Sequence, residues 1–369
     1  MAPSSQSGPK ISDVSFTSDS YEDAVERFYT ERWTDGLPIV LPTRKLVEAV
    51  ITASGRDRNE TLGSMPPKGH AITIEKLAVN AVMGGCTPEL FPVVIAGIEA
   101  ILEPEHNLNG VIQTTHSCVS LAIVGGPIAK QLNFNSSEGV FGNGFRANAA
   151  VGRALRLAMW NLGGALPGIT DMATMSDPAE YAYCIAESDD SPWEPLHVER
   201  GCPPGSNGVT MFACEGPHSM EGQGTPAEML YVLSAGLRSI GNNNAVMGGQ
   251  SLLVLNPRQA HEFATAGWSK RDVREYLWEN ARPTVDEIDM SGEHRRNLRH
   301  NLVAQGRLPT EFAVQQPTAT VPVTTTPDDL LVVVAGGRTY FAAICPGWGA
   351  LGGYAVTKPV APSGTAKAG

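Results

Sequence analysis

A thiol and an imidazole stand two positions apart in Thr114-Thr115-His116-Ser117-Cys118, where a polar, glycine-bearing loop runs into an apolar stretch of β type over 119–124. An imidazole so placed can move a proton, and the thiol beside it can act as nucleophile or as resolving thiol. Cys86 immediately precedes Thr87-Pro88, a helix-start signal in which Thr caps and Pro takes the first helical position. The free N–H groups and the dipole of a helix start stabilise negative charge, so Cys86 is expected to be a thiolate at neutral pH. A second concentration lies in Ser191-Pro192-Trp193-Glu194-Pro195-Leu196-His197-Val198-Glu199-Arg200-Gly201. Read as extended chain, its period of two sets His197 and Glu199 on one face as a further acid–base pair. The candidate catalytic residues are therefore Cys86, His116, Cys118, His197 and Glu199.

A loop rich in Gly, Ser and Asn, Asn135 through Phe145, feeds a strong helix over 147–162, with Arg146 at its mouth. Free backbone N–H groups at such a start can cradle an anion, and a guanidinium adds a two-pronged donor for carboxylate or phosphate. Asn143, Gly144, Arg146, Asn148 and Arg200 are the expected binding residues for a small anionic substrate. The loop lacks the third glycine and the later acidic residue of a dinucleotide fingerprint.

His70, His116, His197 and His218 all fall in Gly/Pro-rich loops at the ends of apolar stretches, with Glu75, Glu199 and Glu215 near them in sequence. Together they are candidate ligands for a divalent metal. No His-x-x-x-His or His-Glu-x-x-His spacing supports a fixed ligand set, so no metal site is assigned and the cofactor is left open.

These residues need elements to hold them, and the chain carries one design twice. Gly85-Cys86-Thr87-Pro88, an apolar helix over 90–102, Asn107 and an apolar stretch over 120–124 ending near Pro127 form the first copy. Gln223-Gly224-Thr225-Pro226, an apolar helix over 229–240, Asn242 and the stretch 251–255 before Pro257 form the second. The expected fold is α/β, with two pseudo-equivalent α/β halves (69–135 and 208–268 at their cores) and the Arg146 helix between or beside them. Cys86 aligns with Gly224 and Cys118 with Gly249, while His116 has no imidazole counterpart. Positions that differ between halves of one scaffold are the ones free to serve chemistry.

The units expected along the chain are a disordered tail (1–18), an N-terminal helical strap (19–68) and a first α/β half with the Gly-rich loop (69–207). A second α/β half (208–282), a polar arm (283–328) and a C-terminal strand and loop (329–369) follow, with 361–369 frayed. Trp33-Thr34-Asp35-Gly36-Leu37-Pro38 reads as an extended strap, because its prolines cannot donate to a ladder.

Acidic residues outnumber basic ones, 38 to 27, for a formal net charge of −11, which argues against nucleic acid and anionic membranes as partners. The six cysteines form no Cys-x-x-Cys pair and read as reduced thiols, and no apolar stretch is long enough to span a membrane. A cytoplasmic protein, homo-oligomeric through its arm, is expected.

The opening Trp33-Thr34-Asp35-Gly36-Leu37-Pro38 with Pro42-Thr43, and the closing Val333-Val334-Ala335-Gly336-Gly337 with Val356-Thr357-Lys358-Pro359, resemble a bacterial family associated with UGSC-motif (seleno)proteins. The selenocysteine/cysteine-Gly-Ser-Cys motif itself is absent from the chain. The resemblance covers the strap and the C-terminal strand, carries no catalytic residue across, and implies thiol or selenol redox chemistry with a redox partner protein. Three readings stay open: a thiol-dependent enzyme of redox or lyase type, a metal-dependent lyase or hydrolase using loop histidines, and a non-catalytic partner or scaffold subunit.

Overall fold

The computed structural model describes residues 15–290 and 292–361; the expected tail up to residue 14 and the end from 362 lie outside them. Ser20 and Thr43 cap helices α1 (Tyr21–Thr30) and α2 (Arg44–Ser54) through their hydroxyls. A hairpin of β1 (Thr61–Met65) and β2 (His70–Thr73) leads into α3 (Ile74–Met83), capped by Thr73. Helix α4 (Phe91–Ile101) is buried almost all round, and α5 (Leu108–Gln113) starts from Asn107, whose side chain accepts the Gly110 N–H. Strand β3 (Val119–Gly125) is buried throughout and is followed by α6 (Pro127–Gln131), α7 (Arg146–Ala158), β4 (Cys184–Ala186), α8 (Leu196–Glu199) and β5 (Gly208–Cys214).

The chain then continues through β6 (His218–Glu221) and α9 (Pro226–Leu237), which Thr225 and Glu228 close with a reciprocal capping box. Next come α10 (Asn243–Met247), β7 (Ser251–Leu255), α11 (Pro257–Thr265) and α12 (Lys270–Asn280). Helices α13 (Val285–Asp289) and α14 (Glu293–Ala304) precede β8 (Leu330–Val334), β9 (Phe341–Pro346) and β10 (Val356–Pro359).

Two four-stranded sheets result, ordered β10-β5-β3-β4 and β6-β9-β7-β8. In each, an outer pair and a middle pair run antiparallel and the last pair runs parallel. The fourth strand is exchanged: β6 leaves the first half to border β9, and β10 leaves the second half to border β5. The two sheets touch at an isolated bridge between Cys214 and Gly347. The sequence boundary at 208 therefore cuts too early, since β5 belongs to the first sheet. Alternation along a buried strand had no solvent face to mark which half owned it.

The layers follow from the alternation of side chains. Val119, Leu121 and Ile123 of β3, with Phe212 and Cys214 of β5, meet Leu252, Val254, Leu331, Val333 and Cys345 of the other sheet in one core. Ala122, Val124, Val209 and Met211 face the opposite way, onto α3, α4 and α7. Leu253, Leu255, Leu330 and Val332 face α9, α11 and α12. The order is helix, sheet, sheet, helix, with β3, β4, β7 and β8 covered on both sides.

The strap lies extended on α3 and α7. Arg153 donates to both carboxylate oxygens of Asp35 (3.0 and 2.7 Å) and to the carbonyls of Leu37 and Pro38, and Val40 N–H donates to the Met83 carbonyl. The region read as a polar arm is folded: Ile288, Leu302, Leu308, Phe312 and Val321 pack with Val246 and Met247 of α10. Arg299 of α14 is fully buried and pairs with Asp289 at 3.2 Å.

Candidate functional site

The thiols do not converge. Cys86 sits in the helical layer under α7, its Sγ 3.4 Å from the Ala150 carbonyl, and burial pushes its pKa up to about 12. Thr87-Pro88 opens a tight turn, Pro88–Leu90, that runs directly into α4; Thr87 makes no side-chain capping bond, and burial outweighs any pull of the helix start on the thiol. Cys118 packs in a different cluster, with Val111, Ala213 and Trp348, and burial with the neighbouring Glu180, Glu215 and Asp171 raises its pKa as well. All six cysteines are free and buried.

His116 bonds through Nε2 to Glu215 Oε1 at 2.8 Å, and its Nδ1 is buried without a partner. Beside it lies a cavity of about 520 Å³ lined by Ser117, Asp177, Tyr183, Glu215 and His218. His197 lies elsewhere, and His70 begins β2 in the hairpin. Among the described residues no group of three His, Cys, Asp or Glu side chains is placed to hold a metal ion.

Of the expected anion residues, Asn148 and Arg200 are engaged by the fold, and Arg146 in part. Arg146 donates through Nε and Nη2 to the Gly85 carbonyl at 3.0 and 2.8 Å. The Asn148 amide donates to the carbonyls of Asn135 and Cys184 and accepts the Asn135 N–H. Arg200 donates to the Thr357 hydroxyl and to the Ala355 carbonyl. Asn143 and Gly144 are exposed. Glu199 pairs with Lys270 at 3.2 Å and Arg274 at 2.9 Å. Residues 196–199 form a helical turn, not extended chain, so His197 and Glu199 point apart.

A cavity of about 800 Å³ opens instead at the C-terminal ends of the parallel strands β3 and β4, the place where open α/β sheets expose loop ends to a ligand. Gly126 and Pro127 follow β3 into its wall; Glu187 and Ser188 follow β4; Phe134, Phe145, Trp193 and Pro195 supply apolar surface. His197 closes one side. Its Nε2–H donates to the Ser206 carbonyl at 3.0 Å, leaving Nδ1 a buried lone pair without a partner. The ring lies so close to Gly125 that a Cβ there would meet Nδ1 at 2.2 Å, which explains a glycine at the strand end. Burial lowers the His197 pKa and keeps the ring neutral.

Glu187 is the group the sequence reading passed over. It is 5 % exposed. Its Oε2 accepts the Leu196 N–H at 2.7 Å, and its Oε1 is buried with no partner. Burial, with the Glu199 charge beside it, pushes its pKa up to about 7, against the pull of Lys270 and of the Leu196 and Val334 backbone N–H groups. The signal in the sequence was a carboxylate closing the alternating stretch Tyr181-Ala182-Tyr183-Cys184-Ile185-Ala186-Glu187, a costly residue to bury at a strand end.

No helix among the described residues is long and apolar enough to cross a membrane. No family model matches the chain, and no curated protein matches it.

Proposed function

We propose that the chain is an enzyme of lyase or hydrolase type that delivers a proton from Glu187 to a small molecule bound in the cavity at the ends of β3 and β4. The observation that carries this reading is the unpartnered Glu187 Oε1, buried in a cavity wall where its carboxyl is half protonated near neutral pH. The carboxyl O–H bond breaks as the proton passes to a substrate oxygen, and the carboxylate takes a proton back at the end of turnover. The buried Lys270 ammonium, bonded to the Glu194 carbonyl at 2.6 Å, lies near enough to favour that carboxylate. We further propose that the halves arose by duplication, which the shared strand order supports.

Thiol or selenol redox chemistry, the direction implied by the resemblance to the UGSC-associated family, has no comparable support, because each thiol is buried. Infrared difference spectra across pH 5 to 9 test the proposal. A protonated-carboxyl band that disappears near pH 7 and is missing from Glu187→Gln is expected. A band that titrates in the ordinary carboxylate range would sink it.

A further inference from the structure

The charges around this cavity cancel. Lys130 and Asp189 stand together on the rim, 3.8 Å apart and largely exposed. Behind the lining, Lys270 and Arg274 are both engaged by Glu199. His197 is neutral, and Glu187 is neutral when protonated. Neither Arg146 nor Arg200 belongs to the lining of the cavity. An anionic ligand entering here would lose its hydration without meeting an unpaired cation, and an ammonium would meet no unpaired carboxylate.

The walls have a definite chemistry. Phe134, Phe145, Trp193, Pro127 and Pro195 present apolar faces, and Phe145 is 42 % exposed, an aromatic ring left open to solvent. Several polar side chains of the lining are turned inward on themselves: Asn135 bonds Glu138 and Ser137, Ser191 bonds Trp193, and Ser206 bonds Pro203, while Gln131 and Asn133 lie exposed at the rim. Two buried polar atoms of the lining residues remain without a partner: Oε1 of Glu187, a residue more than nine-tenths buried, and Nδ1 of the neutral His197 ring, which can only accept and is packed against Gly125.

We infer that the ligand of this cavity is a compact, uncharged molecule with a flat apolar body and a carbonyl-type oxygen, which accepts a hydrogen bond from the Glu187 carboxyl. This inference rests on the proposed role of Glu187 as proton donor. Burial of the flat body against Trp193 and Phe145 supplies attraction, and the single donor fixes orientation. A neutral acceptor also relieves the buried oxygen without importing a charge.

Ligand-observed NMR on the full chain with benzamide, benzoate and benzylamine tests it. Benzamide is expected to bind at least about tenfold more tightly than either charged partner at pH 6, and to lose binding in Trp193→Ala. Its affinity for the wild type should fall as pH rises through 7, because a carboxylate cannot donate. In Glu187→Gln, where an amide N–H replaces the acid, that pH dependence should vanish while binding persists. Benzoate or benzylamine binding as tightly as benzamide, or no binding by any of the three, would overturn the ligand class. Benzamide binding that is independent of pH in the wild type would keep the ligand class and overturn the proton-donor reading.

Discussion

Glu187 and Ala335 hold the same place in the two sheets. The Glu187 N–H donates to the Val124 carbonyl at 2.9 Å, and the Ala335 N–H donates to the Leu255 carbonyl at 2.9 Å, each one residue past the short parallel strand of its sheet. The two ends also meet, since Ser188 N–H donates to the Val334 carbonyl and Gly336 N–H to the Ser136 carbonyl. A scaffold that accepts a methyl group at one of these positions has no structural need for a buried carboxyl at the other. The asymmetry between halves therefore points at Glu187, and the same logic applied to Cys118 and Gly249 misled. Gly249 is a glycine because a Cβ there would meet the Gly349 backbone at 2.3 Å, so that pair differs for packing reasons.

Glu187→Gln should stabilise the protein at high pH. The folded carboxyl is raised to about 7 from 4.5, so below the unfolded value both states are protonated and nothing is lost. As pH rises toward 7 the unfolded chain ionises freely while the folded chain holds its proton, and stability falls. A glutamine cannot ionise. Urea titrations should show the variant more stable by up to about 3 kcal/mol at pH 8 and little changed at pH 4. Equal pH profiles for the two proteins would remove the burial argument. Stability gained by deleting a buried acid, with activity lost, is the trade expected of a catalytic group.

His106 should make the fold sensitive to acid. It is fully buried, with Nε2 2.9 Å from the Ser120 hydroxyl, and burial lowers its pKa to about 4 from 6.5. Above 6.5 the ring is neutral in both states. As pH falls from 6.5 toward 4 the unfolded chain takes up a proton that the native site refuses, and stability is lost on the order of 3 kcal/mol. His106→Gln should be less stable at pH 7, where it breaks the Ser120 contact, yet its loss between pH 6.5 and 4 should be smaller than the wild type's. Parallel profiles would show that another group controls the acid limb.

Native Cys86 and Cys118 should resist iodoacetamide, reacting at the rate of global or local opening and no faster than Cys184 or Cys214. The thiolate is the nucleophile, and burial disfavours it at both positions. Cys86→Ser should cost about 1–2 kcal/mol, since a hydroxyl replaces a sulfur packed in the helical layer. Rapid alkylation of Cys86 in the folded protein would restore the thiol chemistry that its place before Thr87-Pro88 suggested.

Periodicity and caps made much of the framework legible. Thr225-Pro226 and Asn256-Pro257 begin their helices with reciprocal caps, and the apolar stretch over 251–255 is a strand of the same bounds. Such signals are local, and local chain energetics write them. The exchange of β6 and β10 is not local: its partners lie more than a hundred residues away, and nothing in the four residues of either strand names them. The site was obscured for a related reason. His197 and Glu199 share a segment but face apart, two residues being about half a turn of helix, while Glu187 and His197 share a cavity through the Leu196 N–H, a contact invisible to spacing.

Arg153 should hold the strap, and through it the outer helical layer. Its guanidinium pairs with both oxygens of Asp35, whose side chain is 5 % exposed, and also satisfies the Leu37 and Pro38 carbonyls. Trp33 is anchored beside it, edge-on to Phe28 with centroids 5.3 Å apart and packed with Met83 and Leu157. Arg153→Ala leaves a carboxylate buried with no cation and the Pro38 carbonyl without its donor, while the Thr34 hydroxyl still donates to the Leu37 carbonyl at 2.7 Å, so a loss of about 3 kcal/mol is expected. Lysine keeps the charge but cannot form the two-pronged pair, and Arg153→Lys should recover less than half of that loss. Asp35→Asn combined with Arg153→Ala removes the uncompensated charge and should cost less than Arg153→Ala alone. Urea midpoints for the three variants decide the matter. A single-variant cost below about 1 kcal/mol would show the strap to be held by Trp33 and Phe28 alone, with the ion pair contributing what a solvent-exposed pair does.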